Sequence, residues 1–582
     1  MCGAWWWSFP GFPTCRSRKM KTCWILLFMH GFGSRKKNGK TNWWKIMHDI
    51  LMQPDVHEER TLWVPLGGNN EDTIGGNSHA IIHEWVDENG EGHRQVVLVD
   101  AGNLFGRGGK HSEFLPVLDP FLTRREDEGK EFSPTHLHAS AIFITHAHED
   151  HIAALQHYIN RGFKLPPIYC SKLTSQYVMD DLEELISDPD QWPEIHVMEP
   201  GERVQLGKFT TRAVPVSHSV SQSFAYQVKT PGSNLLFTGD FKIDQDLLLG
   251  PMTDLGMLAE IGREGVDAVM MDSTRADVPG FTMTEHAVRE TFRRIMKQNP
   301  DKRFITAVMG RNTERVAGLV KVAAEMGRQI VHEGPALKKT LYLCKRAGID
   351  LRSLHPDVKI HDGKSQLARK LAPSQMAGMI TGTQAEINAA LDLASRGDHR
   401  RLRLDPKTDI LIISASLIPG NEARVHKLVA DLRAQGFIVI VSRDEDVASS
   451  GHPAAEDCKL TAKTTNARMV IPVHGSIAHR TAQCRNMAEI GVPSLMVGNG
   501  NIVCFGGPQG TRIIGHRPHG LIGVQEKRVG YNSPDKNDPN APKVQYAYEM
   551  IMQKPKPLAQ PKPPAPKPPQ PRYAPKDDPA LL

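Results

Sequence analysis

The segment His146-Ala-His148-Glu-Asp150-His151 follows directly on the apolar run 141–144, and no other stretch limits so sharply what the chain can become. Alternation along an extended backbone points His146 and His148 to the same side, so two imidazoles can share one cation. Asp150 stands where a helix N-cap is expected, ahead of the apolar stripe Ile152, Leu155 and Ile159 that runs to Gly162, and His151 falls in the first turn. Asp150 and His151 can then face a second cation. Imidazole with carboxylate suits zinc or manganese, and a mixed set of this kind leaves coordination positions open. His136 and His138 share the spacing of two, but no Asp-His follows them, and they are expected to be solvated.

A chain of 582 residues exceeds what one core supports, so several domains are expected. Apolar runs near the histidine segment end in polar residues: 96–99 before Asp100 and 235–237 before Asp240. Between 258 and 443 the runs 268–271, 304–308, 410–413 and 437–441 alternate with helical stretches, the pattern of βαβ units and a parallel sheet. Thr282-Met-Thr-Glu285 is a capping-box tetrad ahead of the amphipathic run 287–296. The expected division is a leader over 1–56, a first catalytic segment over 57–257, an inserted α/β domain over 258–445, a return segment over 446–530 and a tail over 531–582.

Charge separates the ends from the body. Residues 1–50 carry nine Lys/Arg against one acid and residues 554–582 six against two, so taking +8 and +4 from the net +6 leaves about −6 between them. The basic balance is therefore silent about the body, where any nucleic-acid footprint must be local. Six of the nine tryptophans lie at 5, 6, 7, 24, 43 and 44, unlike the rest of the chain, and the expectation is a leader upstream of a natural start at Met47 or Met52. Residues 554–579 are rich in Pro and Lys, which favours extended polyproline II and a solvated spacer. The eight cysteines contain no CxxC pair, which fits a reducing cytoplasm. The apolar run 23–29 is too short to span a bilayer, so neither a transmembrane helix nor a signal peptide is expected.

His146-x-His148-x-Asp150-His151 resembles the signature of metallo-β-lactamase-fold hydrolases, and the other motifs of that family can be matched in order. They are Asp100 in Val-Leu-Val-Asp-Ala-Gly, His218 in Pro-Val-Ser-His-Ser and Asp240 in Phe-Thr-Gly-Asp. The resemblance implies an αββα sandwich with His146, His148 and His218 on one metal, Asp150 and His151 on the other, and Asp240 bridging. The inserted α/β parallel-sheet region resembles the β-CASP domain, with Asp272 in Met-Asp-Ser-Thr as motif A, His452 in Ser-Ser-Gly-His as motif B and His474 in Ile-Pro-Val-His-Gly as motif C. In that family the motif C histidine completes the second metal, and a histidine there accompanies RNA rather than DNA processing.

Over 62–475 the chain is similar to the ribonuclease J family, on Pro65-Leu-Gly-Gly, Thr381-Gly-Thr-Gln, Ile418-Pro-Gly-Asn-Glu422 and the 22-residue step from His452 to His474. It departs from the family at Ala385-Glu386, where Gly-Glu is usual, at Gly310-Arg-Asn312, where Ala-Ser-Asn is usual, and in a shorter region after His474. The resemblance implies a cytoplasmic 5′-to-3′ exoribonuclease that prefers a 5′-monophosphate and also cuts internally. It implies two divalent ions, Zn2+ ahead of Mn2+ or Mg2+, with RNA as partner, no membrane, and a homo-oligomer or an RNA-decay complex. Asp100 and Asp272 are expected to orient ligating imidazoles, and His452 to stabilise charge on the phosphorus oxygens or protonate the leaving oxygen. Ser449, Ser450, Gly451 and His452, with Asn312 and Arg315 opposite, are expected to hold phosphate. Two other readings compete: a small-molecule thioester or lactone hydrolase, which has no use for the insert, and a non-catalytic RNA-binding subunit, which would have lost ligands. A DNA nuclease is opposed by His474.

Overall fold

Period-two alternation along Ala268–Asp272 sends Ala268 and Met270 to one face and Val269 and Met271 to the other, and the two faces pack into different cores. The computed structural model describes residues 56, 58–105, 112–132, 136–186, 188–418, 420–506, 510–517, 519–527 and 545–553, which lie in one compact unit. In it the strand joins a six-stranded sheet ordered Arg203–Leu206, Phe209–Val216, Ser223–Thr230, Ser233–Phe237, Ala268–Asp272 and Val470–Val473. An eight-stranded sheet runs Ile195–Val197, Ile168–Cys170, Ala139–Phe143, Gly92–Val99, Ser78–Val86, Arg60–Gly67, Asn501–Phe505 and Arg512–His516. Trp63, Ile81, Val97 and Phe143 of the larger sheet share one buried core with Phe224, Tyr226, Phe237 and Ile471 of the smaller. Helices Leu255–Glu264, Ala455–Thr464 and Ile477–Glu489 cover the outer face of the smaller sheet through Leu258, Ile261, Cys458, Ala462 and Met487. This is the αββα sandwich expected from the motifs.

A third sheet, ordered Ile360–Asp362, Gln329–Glu333, Met376–Ile380, Arg303–Val308, Asp409–Ser414 and Ile438–Val441, is parallel throughout. Its strands are apolar on both faces because helices cover both. Phe304, Val308, Ile410 and Ile412 pack with helices Glu285–Gln298 and Thr313–Glu325, and Ile305, Leu411 and Ile413 pack with Glu422–Ala434.

Three expectations need correction. The run 268–271, read with the inserted sheet, pairs in parallel with Ser233–Phe237 and Val470–Val473 instead. A strand buried on both faces reads alike in either sheet, and only its partners distinguish them. Thr284, not Thr282, caps helix Glu285–Gln298, accepting from Ala287 N at 3.3 Å. Thr282 Oγ1 serves the site, donating to the His452 carbonyl at 2.9 Å and accepting from Ala454 N at 2.9 Å. Gln545–Gln553, placed in the tail, forms a strand antiparallel to His519–Lys527, which also pairs with Glu113–Pro116. The Trp-rich leader up to 55 and the Pro/Lys stretch 554–582 lie outside the described residues. Among the described residues no helix is long and apolar enough to cross a membrane.

Candidate metal centre

The strand Ala139–Phe143 carries the chain through His146 and His148 into the short helix Glu149–Ile152. The N-cap is His148 rather than Asp150, which sits within the first turn. That two-residue shift frees the Asp150 carboxylate from capping, and its Oδ2 lies 3.8 Å from His151 Nε2 and 3.6 Å from His474 Nε2. The loop is braced from behind by Asn77 N donating to Asp150 O at 2.9 Å and Ala101 N to His151 O at 2.8 Å. Gly102 allows this approach, since a Cβ there would stand 1.6 Å from Asp150 O.

Two groups of donors converge. His146, His148, His218 and Asp240 form one and Asp150, His151, Asp240 and His474 the other, each with one donor atom per residue within 4.8 Å of the rest. His146 Nε2 lies 3.1 Å and His218 Nε2 3.0 Å from His148 Nδ1, with Asp240 Oδ2 at 3.6 and 3.8 Å from the same two Nε2 atoms. In the second group Asp240 Oδ1 is 3.3 Å from His151 Nε2 and Oδ2 is 3.2 Å from His474 Nε2. Ligands about 2.0–2.1 Å from a tetrahedral ion are separated by roughly 3.3 Å, so these spacings fit coordination edges. Asp240 Oδ1 is buried without a hydrogen-bond partner, the state expected of an oxygen reserved for a cation. Asp240, Asp272, His452 and His474 also come together within 4.8 Å, but there the Asp272 carboxylate already binds the His452 ring.

Electrostatics agree with the donor set. Burial works to raise the Asp240 carboxyl, but the imidazoles of His474, His151, His452 and His146 outweigh it and hold it well below the usual carboxylate range. Burial pushes His146 and His148 well down and His218 to about 4, keeping them neutral and able to ligate. His151 and His474 are raised despite burial because carboxylates surround them, Asp240 foremost. The negative charge that holds protons there is the charge that would hold a cation.

The ligand rings are oriented from outside. Asp100 Oδ2 binds His151 Nδ1 at 2.7 Å while its Oδ1 accepts from Thr145 N at 2.8 Å. Gly451 O lies 2.7 Å from His218 Nδ1, leaving Nε2 toward the site. Asp100 and His474 each follow the end of a strand with positive φ, 61° and 50°, strain of about 1–3 kcal/mol per residue that surrounding contacts must sustain. Asp272 does not orient a member of either ligand group: its Oδ2 binds His452 Nδ1 at 2.8 Å. Burial lowers the His452 imidazole, yet Asp272 and Asp240 raise it to about 9. The sequence reading missed Asn77, whose Nδ2 lies 2.9 Å from His474 Nδ1 and 3.0 Å from His151 Nε2. Its signal was the Gly75-Gly76 turn, with φ of 104° and 70°, just ahead of the strand Ser78–Val86.

The expected phosphate contacts divide. Ser450 is half-buried beside His452, accepting from its backbone N at 3.0 Å. Ser449, Asn312 and Arg315 turn inward and cannot present themselves to a substrate. Ser449 Oγ lies 3.1 Å from Lys242 Nζ and 2.5 Å from Met283 O, and Asn312 Oδ1 caps helix Thr313–Glu325 through Arg315 N at 2.9 Å. Arg315, 1% exposed, pairs with Glu285 at 2.8 and 2.9 Å and donates to the carbonyls of Val447 at 3.1 Å and Ser449 at 3.3 Å. A helical arginine that follows a glutamate reads as exposed until its partner carboxylate is known. His136 and His138, expected in solvent, are half-buried with their Nε2 atoms 2.7 Å apart and belong to neither donor group.

Comparison with known proteins places this geometry in context. Residues 116–300 match the model of the beta-lactamase superfamily domain, and residues 301–432 that of the ribonuclease J beta-CASP domain. Ribonuclease J of Mycobacterium tuberculosis (strain ATCC 25618 / H37Rv) is 30% identical over 428 residues, 74% of this chain and 71% of that protein. Ribonuclease J 1 of Streptococcus pyogenes serotype M3 is 30% identical over 458 residues, 78% of this chain and 75% of that one. A crystal structure of a protein of unknown function from Enterococcus faecalis V583 shares the fold, with a TM-score of 0.52 and 16% identity over 77% of this chain and all of that one.

Proposed function

Because this chain belongs to the ribonuclease J family, and is thus a metal-dependent ribonuclease, we propose that it degrades RNA from a 5′-monophosphate end and also cleaves internally. In this reading His146, His148 and His218 hold one divalent ion, Asp150, His151 and His474 hold the other, and Asp240 serves both. The observation that carries it is the pair of donor groups sharing one buried carboxylate. Imidazole and carboxylate donors favour Zn2+, with Mn2+ or Mg2+ as substitutes. Two such ions, when bound, would supply a water of lowered pKa and stabilise the charge that develops on the phosphate.

The chain's own residues supply the rest. Asp100 holds the His151 ring and the Gly451 carbonyl holds His218, so the donors stay aimed while charge develops. His452, protonated through Asp272, donates to the phosphate oxygen that gains charge or to the leaving oxygen. Ser450 and Gly451 flank it and meet the phosphate. Met309 to Asn312 follow the C-terminal end of the strand Arg303–Val308 and reach the histidine loop, so RNA lies between the inserted sheet and the sandwich. A reducing cytoplasm fits the buried free thiols at 170, 344, 458, 484 and 504, and a homo-oligomer or RNA-decay complex is the assembly proposed.

The test is incubation with Zn2+ or Mn2+, or with chelator, on internally labelled RNA bearing a 5′-monophosphate or a 5′-triphosphate. Metal-dependent release of mononucleotides, faster from the monophosphate, is expected. Equal rates from both ends would remove the 5′-preference, and no cleavage of either RNA would favour a small-molecule hydrolase or an inactive RNA-binding subunit. His148→Ala should lose metal and hydrolysis together, whereas His452→Ala should keep its metal and lose turnover.

A further inference from the structure

Gly310 and Arg311 belong to the turn between the strand Arg303–Val308 and the helix Thr313–Glu325. Gly310 admits a close neighbour: a Cβ there would stand 2.7 Å from Ala336 Cβ, and its carbonyl accepts from Thr340 Oγ1 at 2.7 Å. Thr340 Oγ1 in turn pairs with Tyr177 OH at 2.8 Å, which fixes the ring over which the Arg311 guanidinium lies at 5.0 Å. Held in this way, Arg311 Nη1 donates to the carbonyl of Ala147 at 2.6 Å, the residue between His146 and His148. Its Nη2 lies 3.3 Å from Glu149 Oε1 and 3.5 Å from Asp181 Oδ2. The side chain is 19% exposed, and the carboxylates of Asp181 and Glu149 keep it charged against its burial.

We infer that Arg311 is a positioning residue, reaching from the inserted region to clamp the backbone of the metal-binding loop through Ala147 O and Glu149, so that His146 and His148 are held at ligand spacing. The inference rests on the proposed dinuclear site. A carbonyl between two ligands governs the direction of both rings, and the second donor pair prevents the peptide from rotating. Lys339 reinforces the same contact, lying 2.9 Å from Asp181 Oδ1 and pairing also with Asp180. The insert is therefore tied to the metal loop by side chains whose loss should be felt at the ions before it is felt by RNA.

The experiment uses the full chain and its Arg311→Ala and Arg311→Gln variants, with zinc affinity measured by competition against a chromogenic chelator. Melting in EDTA is followed in parallel, and kcat and KM are measured on a 5′-monophosphorylated oligoribonucleotide. Arg311→Ala is expected to bind zinc about 10–100-fold more weakly, the range for residues that orient ligands. Its kcat at limiting zinc should fall in proportion, with KM for RNA within twofold of the parent. Arg311→Gln keeps part of the stem over Tyr177 and one donor, so it guards against a folding defect and should melt like the parent in EDTA while losing zinc affinity several-fold. Parental zinc affinity in both variants overturns the inference, as does a raised KM with unchanged kcat, which would make Arg311 an RNA contact. A parent protein that takes up no zinc overturns the dinuclear reading and this inference with it.

Discussion

Replacing Arg315 by methionine separates a phosphate contact from a buried brace. The guanidinium makes two bonds to Glu285, at 2.8 and 2.9 Å, and four to the carbonyls of Ser414, Val447 and Ser449 and the Ser414 hydroxyl. Removing one member of a buried ion pair costs about 3–5 kcal/mol because the remaining charge is left uncompensated. Glu285 would keep Lys242 Nζ at 3.6 Å, so the lower end, about 3 kcal/mol, is expected. The double variant Arg315→Met with Glu285→Gln should recover at least half of that, since neither charge is then stranded. Urea denaturation in EDTA at pH 7 measures the cost, and RNA-binding anisotropy across a salt series measures the contact. A lost phosphate contact would lower the salt slope by about 0.7 on a single strand. An inward brace leaves the slope unchanged. A reduced slope with unaltered unfolding would refute the reasoning and return Arg315 to the RNA.

At Gly451 a Cβ would stand 2.6 Å from His218 Cε1 and 2.7 Å from Nδ1, so Gly451→Ala should weaken metal binding about 10–100-fold; unchanged affinity by calorimetry would mean that the turn yields. Burial raises Glu314 to about 6 from 4.5, against the donors Leu248 N, Leu249 N and Ser221 Oγ. The folded state then binds the proton more tightly, so this contribution is complete below pH 4.5 and is lost as pH rises through 6, a loss of about 2 kcal/mol. The stability difference between the parent and Glu314→Gln should change across that window, and a constant difference from pH 4 to 7 would contradict the assignment. Ala385 holds φ of 54°, a conformation that costs an L-residue about 1–2 kcal/mol. Ala385→Gly should stabilise by about 0.5–1 kcal/mol after glycine's own entropy cost, and a lower denaturation midpoint would show that the packed methyl matters more.

Much of the site was legible because its residues are neighbours along the chain or end consecutive strands. His146, His148, Asp150 and His151 occupy six positions after an apolar run, and backbone alternation alone brings their donors near one another. Asp100, His218, Asp240 and His474 each follow a strand readable from its apolar residues, and the sheets collect those ends at one edge. Local turns were less legible: the helix after His148 begins two residues early, and Thr284 rather than Thr282 is the cap, because cap choice depends on which donor the fold leaves unpaired.

By itself the sequence determined the ligand-rich segment, the apolar strands and helices, the αββα sandwich with its parallel insert, and the residue types able to hold metal. Tertiary structure decided the partners. Asp272 serves His452, 180 positions away; Arg315 serves Glu285 and the turn before His452; Ala268–Asp272 joins the sandwich; Gln545–Gln553 pairs with His519–Lys527. Periodicity records whether a side chain is buried, a property of each residue and its near neighbours. Which charge or strand it is buried against depends on segments brought close only when the whole chain has closed, and that information is carried by packing rather than by any local pattern.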